Sequence, residues 1–279
     1  MNADTLINMA LEEDAVLHDL TCLATIEKDQ TGKALITAKA TGILSGTELA
    51  KRVFEKVDPC IVQNWELNDG DHVAAGEVIC ELTGAMHTLL AAERTALNFM
   101  QHLSGIATAT RAFVDAVAKN NCKITDTRKT TPGMRKLEKQ AVVHGGGVNH
   151  RMDLASGMLI KENHIEACGS ITEAVGKCYA QSEEIWVEVE CETLEQVEEA
   201  MHACPDIILL DNMTPDQVLR ARKLIPTSIL LEASGNITLD NALAYANTGV
   251  NRIAIGAITH SSPALDLSMR VVADQTKTS

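Results

Sequence analysis

No C-x-x-C pair occurs among the eight cysteines (22, 60, 80, 122, 168, 178, 191, 204), and no histidine stands at zinc-finger spacing. That removes the usual structural zinc sites. Several thiols, such as Cys80 and Cys122, lie in apolar runs where a free cysteine behaves as a small buried hydrophobe. Reduced thiols point to a cytoplasmic protein. Also missing is any run near the roughly 18 apolar residues of a membrane span. The N-terminal stretch MNADTLINMALEEDAVLHDL is acidic where a secretory signal would be basic and then apolar. A broad basic footprint is absent too. The 24 Lys and Arg stand against 38 Asp and Glu, a formal net charge of −14, which argues against nucleic-acid and anionic-membrane binding. Neither G-x-G-x-x-G nor H-x-x-x-H occurs, so the common signals of a dinucleotide fold and of a helical transition-metal site are lacking.

Against this acidic background stands one cationic island, DTRKTTPGMRKLEKQAVVHGGGVNHRMDLASGMLIKENHI, from Asp126 to Ile165. It gathers Arg128, Lys129, Arg135, Lys136, Lys139, Arg151 and Lys161 with His144 and His150, against only Glu138 and Asp153 once the leading Asp126 and Glu162 near its far edge are set aside. Solvated surfaces normally mix the two signs, so this bias suggests a seat for a multiply anionic small molecule. Pro132-Gly133 and Gly145-Gly146-Gly147 allow the close backbone approach that a loop around a phosphate or carboxylate requires.

At 279 residues the chain can hold one large α/β domain or one with a smaller companion. Helical spacing is expected from about residue 4 to 17. Strand-like pieces follow in TCLATIE, ALITAKATGIL, CIVQNWEL and HVAAGEVICELTG, with a helix around Gly46 to Lys56. This reads as a small antiparallel α+β unit. Met86 to Lys119 reads as helical, with a break at Gly105. After Asn120 the rhythm becomes β/α: CKITDT, GMLIKE, IWVEVE, DIILLDN, SILLEASG and NRIAIGA are nearly continuous apolar strands, and amphipathic segments lie between them. Burial on both strand faces implies a parallel sheet. The predicted domains are 1–119, an α+β unit with bridging helices, and 120–279, an α/β barrel whose last helix packs back on the first domain.

The ends of these strands carry the chemistry. Arg128 and Lys129, Lys161, Glu190, Asp211, Glu232 with Ser234-Gly235, and Gly256 fall at the C-terminal ends of successive strands, which a barrel would bring to one rim. Six strands are clear, so the barrel is incomplete, irregular or a full eight. Glu190 and Asp211 could pair with Lys129 and Lys161 as structural ions, or could bind ribose hydroxyls or Mg²⁺. Ser234-Gly235 and Gly256 suit a phosphate at a helix N-terminus, although β/α turns use glycine for purely structural reasons as well. Lys161 is open to an ion pair, a Schiff base or a carboxylate contact, and its cationic neighbours favour anion binding. His150 and Arg151 follow the triple glycine, where an exposed loop pair is the bland alternative. His164 and His260 read as ordinary polar contacts, and Cys122 has no histidine partner for thiol catalysis.

In their order and spacing, ERTALNFMQHLSGIAT, DTRKTTPGMRKLEKQAV, GGGVNHRMDL, LIKENHI, VEVE, LLDNM, EASGNI and IAIGAITHS resemble quinolinate phosphoribosyltransferases, the decarboxylating enzymes of NAD biosynthesis. The resemblance covers nearly the whole chain. It implies an open-faced α+β sandwich domain followed by an irregular (β/α) barrel, and a homodimer with shared active sites, or a larger oligomer built from it. It implies that Arg128, His150, Arg151 and Lys161 grip quinolinate, with Arg94 supplied by the partner subunit. Lys129 and Lys161 would lie near the pyrophosphate of phosphoribosyl pyrophosphate. Glu190 and Asp211 would face the ribose and Mg²⁺, directly or through substrate oxygens, and Ser234, Gly235 and Gly256 the 5′-phosphate. Lys129, Lys161, Glu190 and Asp211 are then the expected catalytic set.

The resemblance is imperfect at three places: His18-Asp19, Lys161-Glu162-Asn163-His164 and Met152-Asp153-Leu154 stand where the family commonly has Gly-Asp, Lys-Asp-Asn-His and Met-Gly-Leu. Other readings are a molybdenum-transport-associated relative, a nicotinate phosphoribosyltransferase, and a non-catalytic phosphosugar-binding protein. LIKENH speaks against the first. The number of cations exceeds what the single carboxylate of the second needs, and joint presence of Glu190, Asp211, Lys129 and Lys161 disfavours the third.

Overall fold

A computed structural model describes residues 2–272. In chain order the elements begin with α1 (Ala3–Glu13), α2 (Leu20–Thr25), β1 (Thr31–Ala38), β2 (Gly42–Ile43), α3 (Thr47–Val57), β3 (Val62–Trp65), β4 (His72–Val73), β5 (Val78–Ala85) and α4 (Met86–Ala116). They continue with β6 (Lys123–Thr125), α5 (Arg135–His144), β7 (Met158–Ile160), α6 (Glu162–Cys168), α7 (Ile171–Gln181), β8 (Val187–Cys191) and α8 (Leu194–Ala203). The last are β9 (Ile207–Asp211), α9 (Pro215–Leu224), β10 (Leu230–Ser234), α10 (Leu239–Ala246), β11 (Arg252–Ala254), α11 (Ala257–His260) and β12 (Leu267–Val272). Among the described residues no helix is long and apolar enough to cross a membrane.

The chain forms two compact units that interleave along the sequence instead of dividing at one point. The first unit takes the residues up to Ala109, Thr131–Gly145 and the segment from Ser261 onward. Its main sheet has the order β12-β1-β5-β3, antiparallel throughout, and β2 pairs with β4. Ala34, Ile36 and Ala38 alternate along β1 with less buried residues, so one face of the sheet supplies core.

Two expectations change here. TCLATIE is helical: Asp19 accepts hydrogen bonds from Thr21 N (2.9 Å) and Cys22 N (3.0 Å), so an N-cap overrides the strand preference of its apolar residues. The C-terminal segment, expected to be a helix, is the edge strand β12 as far as Val272, with Met269 opposite Ile36; residues 273–279 lie outside the described residues.

Helix α4 runs 31 residues without a break at Gly105. The glycine has a different use, since a Cβ there would lie 2.1 Å from the carbonyl oxygen of Pro263. It lets the chain leading into β12 press against the helix.

The second unit takes Thr110–Thr130 and Gly146–His260. Its six parallel strands are ordered β6-β11-β10-β9-β8-β7. Strands β7 to β11 follow one another round the sheet, and β6, first in sequence, lies beside β11, last. Between β6 and β7 only an isolated parallel bridge, Thr125 with Val148, continues the pairing. The result is an irregular, open six-stranded barrel. Val187, Val189, Ile208, Leu210, Leu231 and Ile253 are fully buried, each stabilising by about 1.5–3 kcal/mol relative to exposure. The helices start where threonines cap them: Thr193, Thr214 and Thr238 pair reciprocally with Gln196, Gln217 and Asn241 at the third helical position.

Candidate active site

Alternation along the strands builds the site. Residues two apart share a face, so Leu159 and Lys161, Glu188 and Glu190, Leu209 and Asp211, and Glu232 and Ser234 form inward pairs. The register places Leu159 beside Glu188, Glu190 beside Leu209, and Ser234 beside Asp211. Lys161, Glu190, Asp211 and Ser234 are the outer members of these pairs, at the strand ends. They line a cavity of about 380 Å³ together with Thr127, Arg128, Lys129, His150 and Arg151. That volume suits a small-molecule ligand.

The outer residues are held by a connected set of polar contacts. Lys161 Nζ is paired with Glu190 Oε2, the lysine side chain 46 % exposed. Asp211 Oδ2 accepts from Asn212 Nδ2 at 2.7 Å, and Asn212 Oδ1 accepts from Asn236 Nδ2 at 3.0 Å. Asn212 and Asn236 both adopt left-handed backbone, as does Gly235 between β10 and α10. A Cβ at Gly235 would lie 2.2 Å from Asn212 Oδ1, so that glycine is required for the two loops to meet. On the opposite side, Thr259 Oγ1 donates to the Lys129 carbonyl at 2.7 Å, and a Cβ at Gly256 would press on the Lys129 side chain at 3.2 Å.

Of the four cations at the mouth, only Lys161 is paired with a carboxylate among the described residues. The Nε of Arg128 is buried and has no hydrogen-bond partner among the described residues. Arg151 donates from Nη1 to the Gly157 carbonyl at 2.9 Å. Burial lowers its pKa from the usual arginine value, the Arg128 charge adds to the effect, and Glu188 opposes it. Crowded, underpaired guanidinium groups of this kind are relieved by an anion.

Glu188 and Glu232, the inner members, meet His150. His150 Nε2 is 2.7 Å from Glu188 Oε2 and 3.7 Å from Glu232 Oε1, with the His150 side chain 7 % exposed and both carboxylates fully buried. The backbone N–H of Arg151 donates to His150 Nδ1 at 2.8 Å, and the His150 N–H donates to Asp126 Oδ1 at 2.9 Å. Burial, and next the charge of Glu188, raises the Glu232 pKa well above the ordinary carboxylate value.

The structure thus brings Arg128, Lys129, His150, Arg151, Lys161, Glu190, Asp211 and Ser234 to one cavity. Gly235 and Gly256 lie in its supporting turns, outside the lining. Arg94 is exposed on α4 in the first unit and is not among the lining residues. Glu232, expected at the rim, also lines this cavity and is fully buried. Burial pushes the thiols of Cys122 and Cys191 up to about 12, consistent with inert packing. His164 accepts the Lys161 N–H on Nδ1 at 3.0 Å and so orders the start of α6. Sequence reasoning missed Glu188, Asn212 and Asn236. Two of them were open to detection, since Glu188 is two residues before Glu190 on a strand and Asn212 directly follows Asp211.

Comparison with known proteins covers both units. Residues 19–104 match the family "Quinolinate phosphoribosyl transferase, N-terminal domain" and residues 106–270 its C-terminal domain. A Bacillus subtilis protein named probable nicotinate-nucleotide pyrophosphorylase [carboxylating] is 47% identical over 267 residues, covering 95% of this chain and 92% of that one. A nicotinate-nucleotide pyrophosphorylase [carboxylating] of Mycobacterium leprae is 40% identical over 270 residues, covering 94% and 95%. The solved structure of the nicotinate-nucleotide pyrophosphorylase from Francisella tularensis superposes with a TM-score of 0.94 at 38% identity, covering 98% of both chains.

Proposed function

The chain belongs to the quinolinate phosphoribosyl transferase family, and from that premise we infer that it transfers the phosphoribosyl group of phosphoribosyl pyrophosphate to quinolinate with loss of CO2. The products are nicotinate mononucleotide and pyrophosphate, in de novo NAD biosynthesis. The pyrophosphorylase names of its relatives describe the same reaction written backwards. The observation that carries this reading is the single cavity in which Arg128, Lys129, Arg151 and Lys161 face Glu190 and Asp211.

Quinolinate carries two adjacent carboxylates. Arg128, with its unpartnered Nε, and Arg151, fixed through Gly157, offer planar forks to them. Lys129 and Lys161 bring positive charge to the pyrophosphate as the C1′–O bond breaks. Glu190 and Asp211 face the ribose, where positive charge develops at C1′ as the pyridine nitrogen attacks. Once the nitrogen is ribosylated and cationic, the C2–CO2 bond breaks. The electron pair left on C2 is stabilised as an ylide and then takes a proton. The turns at Ser234-Gly235 and Gly256 are suited to the 5′-phosphate. Mg²⁺ fits this donor set, because Glu190 and Asp211 offer hard carboxylate oxygens that substrate phosphates can complete, and when bound it supplies further charge to the departing pyrophosphate. Exposed Arg94 reaches this site from a second copy of the chain in a homodimer.

The test is a coupled assay of the purified protein with quinolinate, phosphoribosyl pyrophosphate and Mg²⁺, following CO2 and nicotinate mononucleotide, with nicotinate as the parallel substrate. CO2 and nucleotide from quinolinate alone are expected. Turnover of nicotinate instead would remove the dicarboxylate pocket, and turnover of neither by folded protein would overturn the reading.

A further inference from the structure

Three buried acids lie against the cationic mouth, Glu232 within its lining, and the proposed reaction uses none of them. Asp126, Glu188 and Glu232 are all fully buried. Glu188 Oε1 and both oxygens of Glu232 have no hydrogen-bond partner. His150, Glu188 and Glu232 bring one ligand atom each within 4.8 Å of one another, a grouping compatible with a metal ion.

The hydrogen bonding of His150 decides against a metal. A backbone N–H can only donate, so the Arg151 N–H at 2.8 Å makes Nδ1 an acceptor. The ring proton of the neutral imidazole is then on Nε2, where it points at Glu188 Oε2. A cation bound at Nε2 would need the ring proton on Nδ1, facing another donor.

Further contacts hold the His150 backbone and one edge of its ring. Asp126 accepts the His150 N–H at 2.9 Å and the Asn149 amide at 2.6 Å. The Trp186 ring meets the imidazole edge-on at 5.5 Å and 86°. Gly157, whose carbonyl holds Arg151, packs so closely on Trp186 that a Cβ would lie 2.2 Å from it. Both ring nitrogens of His150 are therefore engaged, and what the ring controls is the backbone from which Arg151 projects.

We propose that Glu188 is a positioning residue for the dicarboxylate half of the site, holding the His150 ring as a fixed wedge beneath Arg151. Glu232 supports this arrangement. Burial, and next the charge of Glu188, favours its uncharged form, which lessens repulsion beside Glu188 as that carboxylate accepts from His150. The inference rests on the proposed reading of the pocket as the quinolinate site, but the state of the His150 ring is measurable without catalysis.

Two measurements test it. In wild-type protein labelled with 15N-histidine, the His150 ring, assigned by its absence in His150→Gln, is expected to show a proton on Nε2 and none on Nδ1, as the Arg151 N–H donating to Nδ1 requires. A proton on Nδ1 would overturn the proposal. In kinetics, Glu188→Ala should raise KM for quinolinate about tenfold, as loss of a charge-assisted hydrogen bond would. KM for phosphoribosyl pyrophosphate should stay within about twofold, and Glu188→Gln, whose amide oxygen also accepts, should recover much of the loss. Equal changes for both substrates, or no change, would overturn it. Should the alanine variant not fold, the glutamine variant and the ring signal decide. Absence of quinolinate turnover in wild type would strike the functional reading while leaving the Glu188–His150 contact to be judged by its spectrum.

Discussion

Thr259 donates its hydroxyl proton to the carbonyl oxygen of Lys129 at 2.7 Å, across 130 residues of sequence. The contact ties α11 to the loop after β6, at the seam where the last strand of the barrel lies beside the first. Thr259→Val keeps the shape and removes the donor. It should cost about 1 kcal/mol, a fall in Tm of about 2–4 °C. With the Lys129 backbone released, KM for phosphoribosyl pyrophosphate should rise several-fold while quinolinate affinity by calorimetry is unchanged.

Lys161 and Glu190 make the opposite case, a contact whose proposed role lies in chemistry and hardly in folding. The lysine is half exposed, and such pairs contribute about 0–1 kcal/mol. Lys161→Ala should therefore melt within a few degrees of wild type yet lose on the order of 10²-fold or more in turnover. Retained activity would remove Lys161 from the catalytic set.

Gly105 is a packing position, although it lies inside a helix where alanine would normally stabilise by up to about 1 kcal/mol. The backbone of Pro263 leaves no room for a methyl group. Overpacking of this kind costs about 1–3 kcal/mol, so Gly105→Ala should lower the urea midpoint. A raised midpoint would show that the segment entering β12 yields easily.

Glu232 predicts a pH signature. Its folded pKa is raised, chiefly by burial. The native state therefore keeps a proton that the unfolded chain releases from about pH 4.5 upward. The associated stability is complete below that pH and is lost as the pH rises toward the folded value. Glu232→Gln cannot ionise and presents an amide to the unpartnered Glu188 oxygen. Thermal melts should show it gaining on wild type by a few degrees at pH 8 and converging at pH 4; a gap independent of pH would refute the assignment.

Arg94 tests the proposal that two copies of the chain share each site. Arg94→Ala and Lys129→Ala should each be inactive alone. Mixed under conditions that exchange subunits, they should recover up to about a quarter of wild-type activity, because one site of a mixed dimer is intact. No recovery in proven heterodimers would place the arginine elsewhere.

Much of the site was legible along the chain because the strands are short, apolar and capped. An apolar run ending in Lys161, Glu190, Asp211 or Ser234 marks both a strand and the position where the chain turns toward solvent. Alternation then puts these side chains on one rim. TCLATIE misled for a local reason, since Asp19 capping two N–H groups outweighs the strand preference of a few apolar residues. Gly105 misled because a glycine in a helix reads as a break when the neighbour that requires it is 158 positions away.

The sequence by itself determined the parallel β/α half, the antiparallel unit before it, the cationic island that marks the mouth and most residues there, since periodicity, caps and charge are local properties. Only the tertiary structure decided that β12 completes the first sheet, that β6 lies beside β11, and that Glu188 and Glu232 meet His150 at the pocket. Those facts depend on pairing and burial between distant segments. A glutamate in an apolar strand looks the same in sequence whether it faces a substrate or a histidine ring, and its partner is set by where the barrel brings the next strand.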